Sequence, residues 1–201
     1  MSHKDFLLNE ALEVKRHVFH FLRHPLKEIK NIPHWGWPRV IALQISMAAI
    51  TGALTGLVER KATFSIIAGL FLAPILTFIP IGISALFFYY CFQLFERKTV
   101  SFRHLFNVIL FASIPLYIFK IVSSYAAVIT MIALAFSSLL VVKGIIHNFQ
   151  IERKRAIKMV LSLYILFFVM WTWDQSSTLS RFQKNWGSGD SMEAPEVELG
   201  Q

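Results

Sequence analysis

Residues that could do chemistry are few. His17, His20 and His24 stand at i, i+3 and i+7, which puts three imidazoles on one helical face, a geometry able to present nitrogens to zinc. No cysteine accompanies them and Pro25 follows at once, so neither a metal nor a cofactor is expected there. His3, His34, His104 and His147 are scattered over tail and loop positions, and the one cysteine, Cys91, has no disulfide partner. There is no Gly-x-Ser-x-Gly elbow, no His-Glu-x-x-His pair, no paired acids and no phosphate-binding glycine loop. Catalysis needs an activated nucleophile, an acid–base pair or a metal set, and none can be assembled, so no catalytic residue is named and no enzyme is expected.

The elements that would position such groups are written in hydrophobicity. Apolar residues make up 55% of the chain, Phe alone counts 19, charged residues are 16%, and the mean hydropathy is +0.55. That composition excludes a disordered chain and a disulfide scaffold. A net charge of +8 would suit nucleic acid, but the basic residues lie between long apolar runs, so a membrane protein with no nucleic-acid partner is expected. A helix needs about 20 mostly apolar residues to cross the hydrocarbon core. Five runs qualify: Val40 to Val58, Thr63 to Phe95 with Pro74 and Pro80, Leu105 to Phe119, Ile121 to Val142, and about Met159 to Trp173. The second run is read as one kinked span, with two re-entrant segments as its alternative.

Charge sets the expected topology. With the N-terminus inside, the N-tail, the 96–104 loop and the 143–158 loop hold fifteen of the 20 Lys and Arg residues. Turning the second run back would place Arg153, Lys154 and Arg155 outside, against the positive-inside bias. The expectation is therefore all-α and polytopic: five transmembrane helices with a cytoplasmic amphipathic N-terminal helix, N-terminus inside and C-terminus outside. Residues 1–36 form the cytoplasmic segment, 37–173 the five-helix domain and 174–201 a disordered acidic tail. Met1 to Lys15 lacks the apolar region of a signal peptide, so the first span is expected to act as an uncleaved insertion signal. Trp35, Trp37, Trp171 and Trp173 suit interfacial belts. No Asp, Glu, His, Arg or Lys occupies the middle of a span, where a proton relay or coupled transporter would need one.

Asp5 to Arg23 has apolar residues at largely helical spacing, including Leu12, Val18, Phe19, Phe21 and Leu22, with Glu10, Glu13, Lys15, Arg16 and Arg23 left for a wet face. Two placements fit: on the membrane surface, with lysines drawn to anionic headgroups at about 1 kcal/mol each, or against the bundle's cytoplasmic loops. Contacts to lipid or to an unidentified protein partner are assigned to Lys15, Arg16, Arg23, Lys27, Lys30, Arg153, Lys154 and Arg155. In the first span Ala48, Gly52 and Gly56 recur every four residues, a row that lets another helix approach closely. Packing inside the bundle is favoured for that row over a homo-oligomer face. Pro115 shapes the third span, and Gln44, Asn107 and Ser137 are among the residues expected to hydrogen-bond between helices or back to the carbonyl four residues earlier.

Three stretches resemble the Yip1 domain family, most closely its bacterial branch. They are Phe21 to Val40 (FLRHPLKEIKNIPHWGWPRV), Phe88 to Phe119 with Ser113 just before Pro115, and Val141 to Leu161 with Gly144 and the Arg155-Ala156 pair. The eukaryotic members' aspartate-leucine-tyrosine-glycine-proline signature is replaced by Ile32-Pro33-His34-Trp35-Gly36-Trp37-Pro38, so their trafficking role with small GTPases is not carried over. The resemblance implies a bacterial inner-membrane protein. The expected function is a non-enzymatic, membrane-organising or partner-binding adaptor. Its alternative is a small permease or channel acting as an oligomer through the Gly52/Gly56 face.

Overall fold

A computed structural model describes residues 3–58, 63–123 and 127–169, and all their regular structure is helical. The chain divides into two units, Met1–Leu161 and Ser162–Gln201. The first contains α1 (His3–Arg23), α2 (Pro25–Glu28), α3 (Trp37–Val58), α4 (Thr63–Cys91), α5 (Phe102–Ser123) and α6 (Ala127–Phe149), and residues 153–161 are helical as well. In the second unit, residues 162–169 are helical. Among the described residues four helices are long and apolar enough to cross a membrane: Trp37–Val58, Gly69–Glu96, Phe102–Val122 and Ile129–Phe149. The fifth expected span, Met159 to Trp173, reaches beyond the described residues, and the C-terminal tail lies wholly outside them.

Two boundaries differ from the sequence reading. The third helix does not stop at Lys120 but continues to Ser123, and the fourth passes Lys143 to end at Phe149. A charge ends an apolar run without ending a helix, because the ladder needs only backbone groups and a long lysine stem can carry its head toward water. The second run is helical through both prolines, as one continuous element that ends in a π-helical turn, Phe92–Glu96. Neither Pro74 nor Pro80 has an N–H to give the preceding turn. Hydroxyls sit beside both breaks: Thr77 Oγ1 donates to the Ala73 carbonyl at 2.7 Å and Ser84 Oγ to the Pro80 carbonyl at 2.7 Å.

α5 is the central helix: 61% of its apolar window is buried, against 11% for the second span. α3 packs on α4 and α5, while α6 packs on α5. The α3–α4 crossing is antiparallel and close. Gly52 meets the backbone of Gly69, and two turns away on each helix Gln44 Nε2 donates to Thr77 Oγ1 at 3.1 Å. Tyr117 of α5 donates to Gln44 Oε1 at 2.8 Å, so one fully buried amide joins three helices. Ser137 Oγ of α6 donates to the Ala112 carbonyl of α5 at 2.8 Å. Where lipid is as apolar as leucine, close packing and such polar bridges hold helices together better than apolar area does.

Candidate interaction site at the linker end of the bundle

The N-terminal segment is built into one end of the bundle. Pro25 can open α2 because a first-turn residue needs no N–H, and Pro38 lies in the first turn of α3 for the same reason. Between them residues 29–36 cross the ends of α5 and α6 with Ile29, Ile32 and Trp35 buried. Such a strand of chain exposes backbone groups that need partners, and two asparagines supply them. Asn148 accepts from the Ile32 N–H at 3.1 Å and donates to the Ile29 and Gly144 carbonyls, both at 2.9 Å. Asn107, expected to bond between helices, instead donates to the Pro33 carbonyl at 3.3 Å and approaches that of Trp35 at 3.5 Å. Gly144 makes the passage narrow enough: a methyl there would meet Val108 at 2.6 Å and Ile29 at 3.2 Å.

Aromatic rings complete the junction. His34 stacks on His104 at 3.7 Å, and Phe21, Trp35 and His17 all meet Phe111 of α5 at 5.3 to 5.4 Å. Three buried side-chain atoms around this junction have no hydrogen-bond partner among the described residues: His17 Nε2, His104 Nδ1 and Asn107 Oδ1. Burial pulls the His17 imidazole below its ordinary value of 6.5; Glu28 and Glu13 oppose that pull and His20 adds to it. The three histidines of the sequence motif do not converge, although the His20 and His24 rings meet at 5.9 Å. His17 turns into the bundle, His20 and His24 are exposed, and α1 ends at Arg23, before the third. Among the described residues no three His, Cys, Asp or Glu groups converge as metal ligands.

The two turns at the same end are tied to each other. Arg97 and Gln150 adopt left-handed conformations at φ 49° and 52°, which stop the π-helical turn and α6. Lys98 Nζ donates to the Gln150 carbonyl at 3.0 Å, placing a cation on the α6 C-terminus where the helix dipole favours it. Arg155 bonds both oxygens of Glu96, at 3.1 and 3.2 Å, and lies 3.4 Å from Glu152; the Glu96 carboxylate raises its pKa further. The basic residues singled out by sequence thus meet different fates. Lys15, Arg16, Lys27, Arg153 and Lys154 are exposed, Lys30 is half-buried, and Arg23 sits 4.5 Å over the Phe19 ring. Arg155 is exposed too, but spends its guanidinium on Glu96. Ala48, Gly56 and Pro115 are buried, while Gly52 faces Gly69 within the chain.

The Yip1 domain model matches residues 19–173, well over half of the 201-residue chain. The chain belongs to the Yip1 domain family. The matched Yip1 region takes in all four described spans, Asn107, Asn148 and the Glu96–Arg155 tie, and it leaves Lys15 and Arg16 outside. No curated protein and no solved structure matches the chain. With four apolar helices and this membership, the protein is an integral membrane protein of the Yip1 type. Asn148, Glu96 and Lys98 were not legible as a set, because what unites them is the meeting of three chain segments. A polar residue near the end of an apolar run was the only available signal.

Proposed function

We propose that this Yip1 domain protein is a non-enzymatic adaptor of a bacterial inner membrane, capturing partners or organising lipid through the basic linker end. In this reading residues 1–36 are cytoplasmic, a fifth span is assigned to about Met159 to Trp173, and the acidic tail lies outside. The positive-inside bias supports that orientation. One observation carries the function. The linker is pinned by Asn148 and Asn107, and the turns are bound to each other through Lys98 and the Glu96–Arg155 pair, so the exposed basic residues stand on a rigid platform. Within the spans, by contrast, Gln44, Thr77, Tyr117 and Ser137 use their polar groups on neighbouring helices.

The test is crosslinking capture from the native membrane, read by mass spectrometry. Arg153→Glu with Lys154→Glu is expected to lose the captured partner, while Arg155 stays native so that its tie to Glu96 survives. Unchanged capture, with unchanged lipid organisation, would refute the platform. A permease built as a homo-oligomer would use the Gly52 face, which here meets Gly69 of the same chain; solute flux into vesicles holding the purified protein would establish it nonetheless.

A further inference from the structure

The outward side of α1 has two characters that the bundle does not use. At about 100° per residue the helix divides into three sectors. Val14, His17, Val18 and Phe21 share the inward one, and Phe21 is fully buried. A second sector holds Leu12, Lys15, Phe19 and Leu22, with the three apolar side chains 53%, 57% and 42% exposed. The third holds Glu13, Arg16, His20 and Arg23; its one acid, Glu13, lies 3.5 Å from Arg39 of α3, and His20 faces Glu28 of α2 at 3.5 Å. An ordinary surface helix has one apolar stripe, turned to its own core. This one has a second apolar stripe, with Lys15 within it and Arg16 and Arg23 along its edge.

Depth identifies what covers it. The linker that leads into the first span lies level with Asn107 of α5, which donates to the Pro33 carbonyl at 3.3 Å. Phe111, on which His17, Phe21 and the linker's Trp35 pack, is four residues further along α5, or about 6 Å at 1.5 Å per residue. An interfacial helix sinks its apolar face by about 5–10 Å into the boundary between headgroups and acyl chains. At about that depth Ile41 of α3, four residues past Trp37, is exposed as well. Lys15, Arg16, Arg23 and Lys27 are all exposed around the stripe, matching an anionic leaflet, and the Arg23 head over Phe19 suits a side chain reaching back toward phosphates.

We infer that α1 is immersed sideways in one leaflet of an anionic bilayer, with Leu12, Phe19 and Leu22 among acyl chains and its opposite flank in the headgroup water. Docked on α5 through Phe21, the helix widens the protein in that leaflet alone, as a fixed wedge. The inference deepens the adaptor reading and rests on it only for which leaflet is involved.

Nitroxides test it on the purified full chain, in a Cys91→Ala background, at positions 12, 19 and 22 and at positions 16 and 20. The vesicles are phosphatidylcholine with phosphatidylglycerol, and collision rates are read with oxygen and with a water-soluble nickel chelate. The oxygen-to-nickel ratio is expected to be several-fold higher at 12, 19 and 22 than at 16 and 20. Lysine-to-glutamine changes at Lys15 and Lys27 should lower it at 19, as should pure phosphatidylcholine. Equal, nickel-dominated ratios at all five positions would overturn the inference and make the stripe an aqueous protein-docking face. Ratios low for both reagents at 12, 19 and 22 would overturn it in favour of protein cover. No partner is present in these vesicles, so the outcome is independent of capture through Arg153 and Lys154.

Discussion

Adding one methyl at Gly52 tests the crossing that holds the first two spans together. A Cβ there would lie 2.7 Å from the Ala73 Cβ and 2.8 Å from the Gly69 carbonyl carbon, and nearer still to the Gly69 carbonyl oxygen. From the other side, a Cβ on Gly69 would lie 2.6 Å from the Gly52 carbonyl oxygen and 2.9 Å from its carbon. Comfortable carbon contacts fall at about 3.5–4.0 Å, so the helices must part by about 1 Å. The obstacles are backbone atoms and one Cβ, which no rotamer change can move aside. Overpacking costs about 1–3 kcal/mol, and here the upper half of that range applies, about 2–3 kcal/mol for Gly52→Ala. Parting the helices also strains the Gln44–Thr77 bond two turns away. Gly82 is the control, since a Cβ there meets nothing within 4 Å. Gly82→Ala should be neutral or stabilise by up to about 1 kcal/mol through helix propensity. Reversible unfolding in mixed micelles, titrated with a denaturing detergent, measures both. Gly52→Ala with Gly69→Ala should cost less than the two singles together, because the first methyl has already opened the crossing. If Gly52→Ala unfolds at the same detergent fraction as Gly82→Ala, the close contact is not what holds α3 on α4.

Asn148→Leu removes three hydrogen bonds to the linker and to α6, and should cost about 1–3 kcal/mol; trypsin cleavage after Lys27 and Lys30 should accelerate accordingly. His17 is held below 6.5 by burial when α1 is docked, so its neutral form favours docking. Docking is at full strength above pH 6.5 and weakens as pH falls below it toward the lowered value, because the undocked ring then takes up protons first. A nitroxide at position 18 should become mobile over that range, and His17→Phe should flatten the response. Tyr117→Phe leaves Gln44 Oε1 without that donor and should cost about 0.6 kcal/mol, and no more than about 1.7, in the same detergent titration.

The helical, membrane-spanning character of the chain was legible in its residues because it depends on composition over windows of about 20 residues. Four described spans follow from that local writing, and a residue as small as Gly52, which meets Gly69, could be picked out there too. Helix ends were less legible. Lys120 and Lys143 interrupt the apolar runs, yet the backbone ladder continues past both. The three histidines share a helical spacing, but spacing alone does not reveal that one faces Phe111 while the helix stops before another.

Tertiary structure alone decided the pairings. Gly52 needed a partner with equally little side chain, and Gly69 becomes that partner only when an antiparallel register brings the two together. Asn148, 116 residues from Ile32, became the linker's clasp for a similar reason. Buried backbone groups must be satisfied by whatever polar side chain the fold carries to them. Arg155 shows the same division, since its charge was plain in the sequence but Glu96, which takes it up, is 59 residues away. Hydrophobicity is a property of each segment and can be read one window at a time. A close contact or an ion pair belongs to two segments at once, and comes into being only where the fold brings them together.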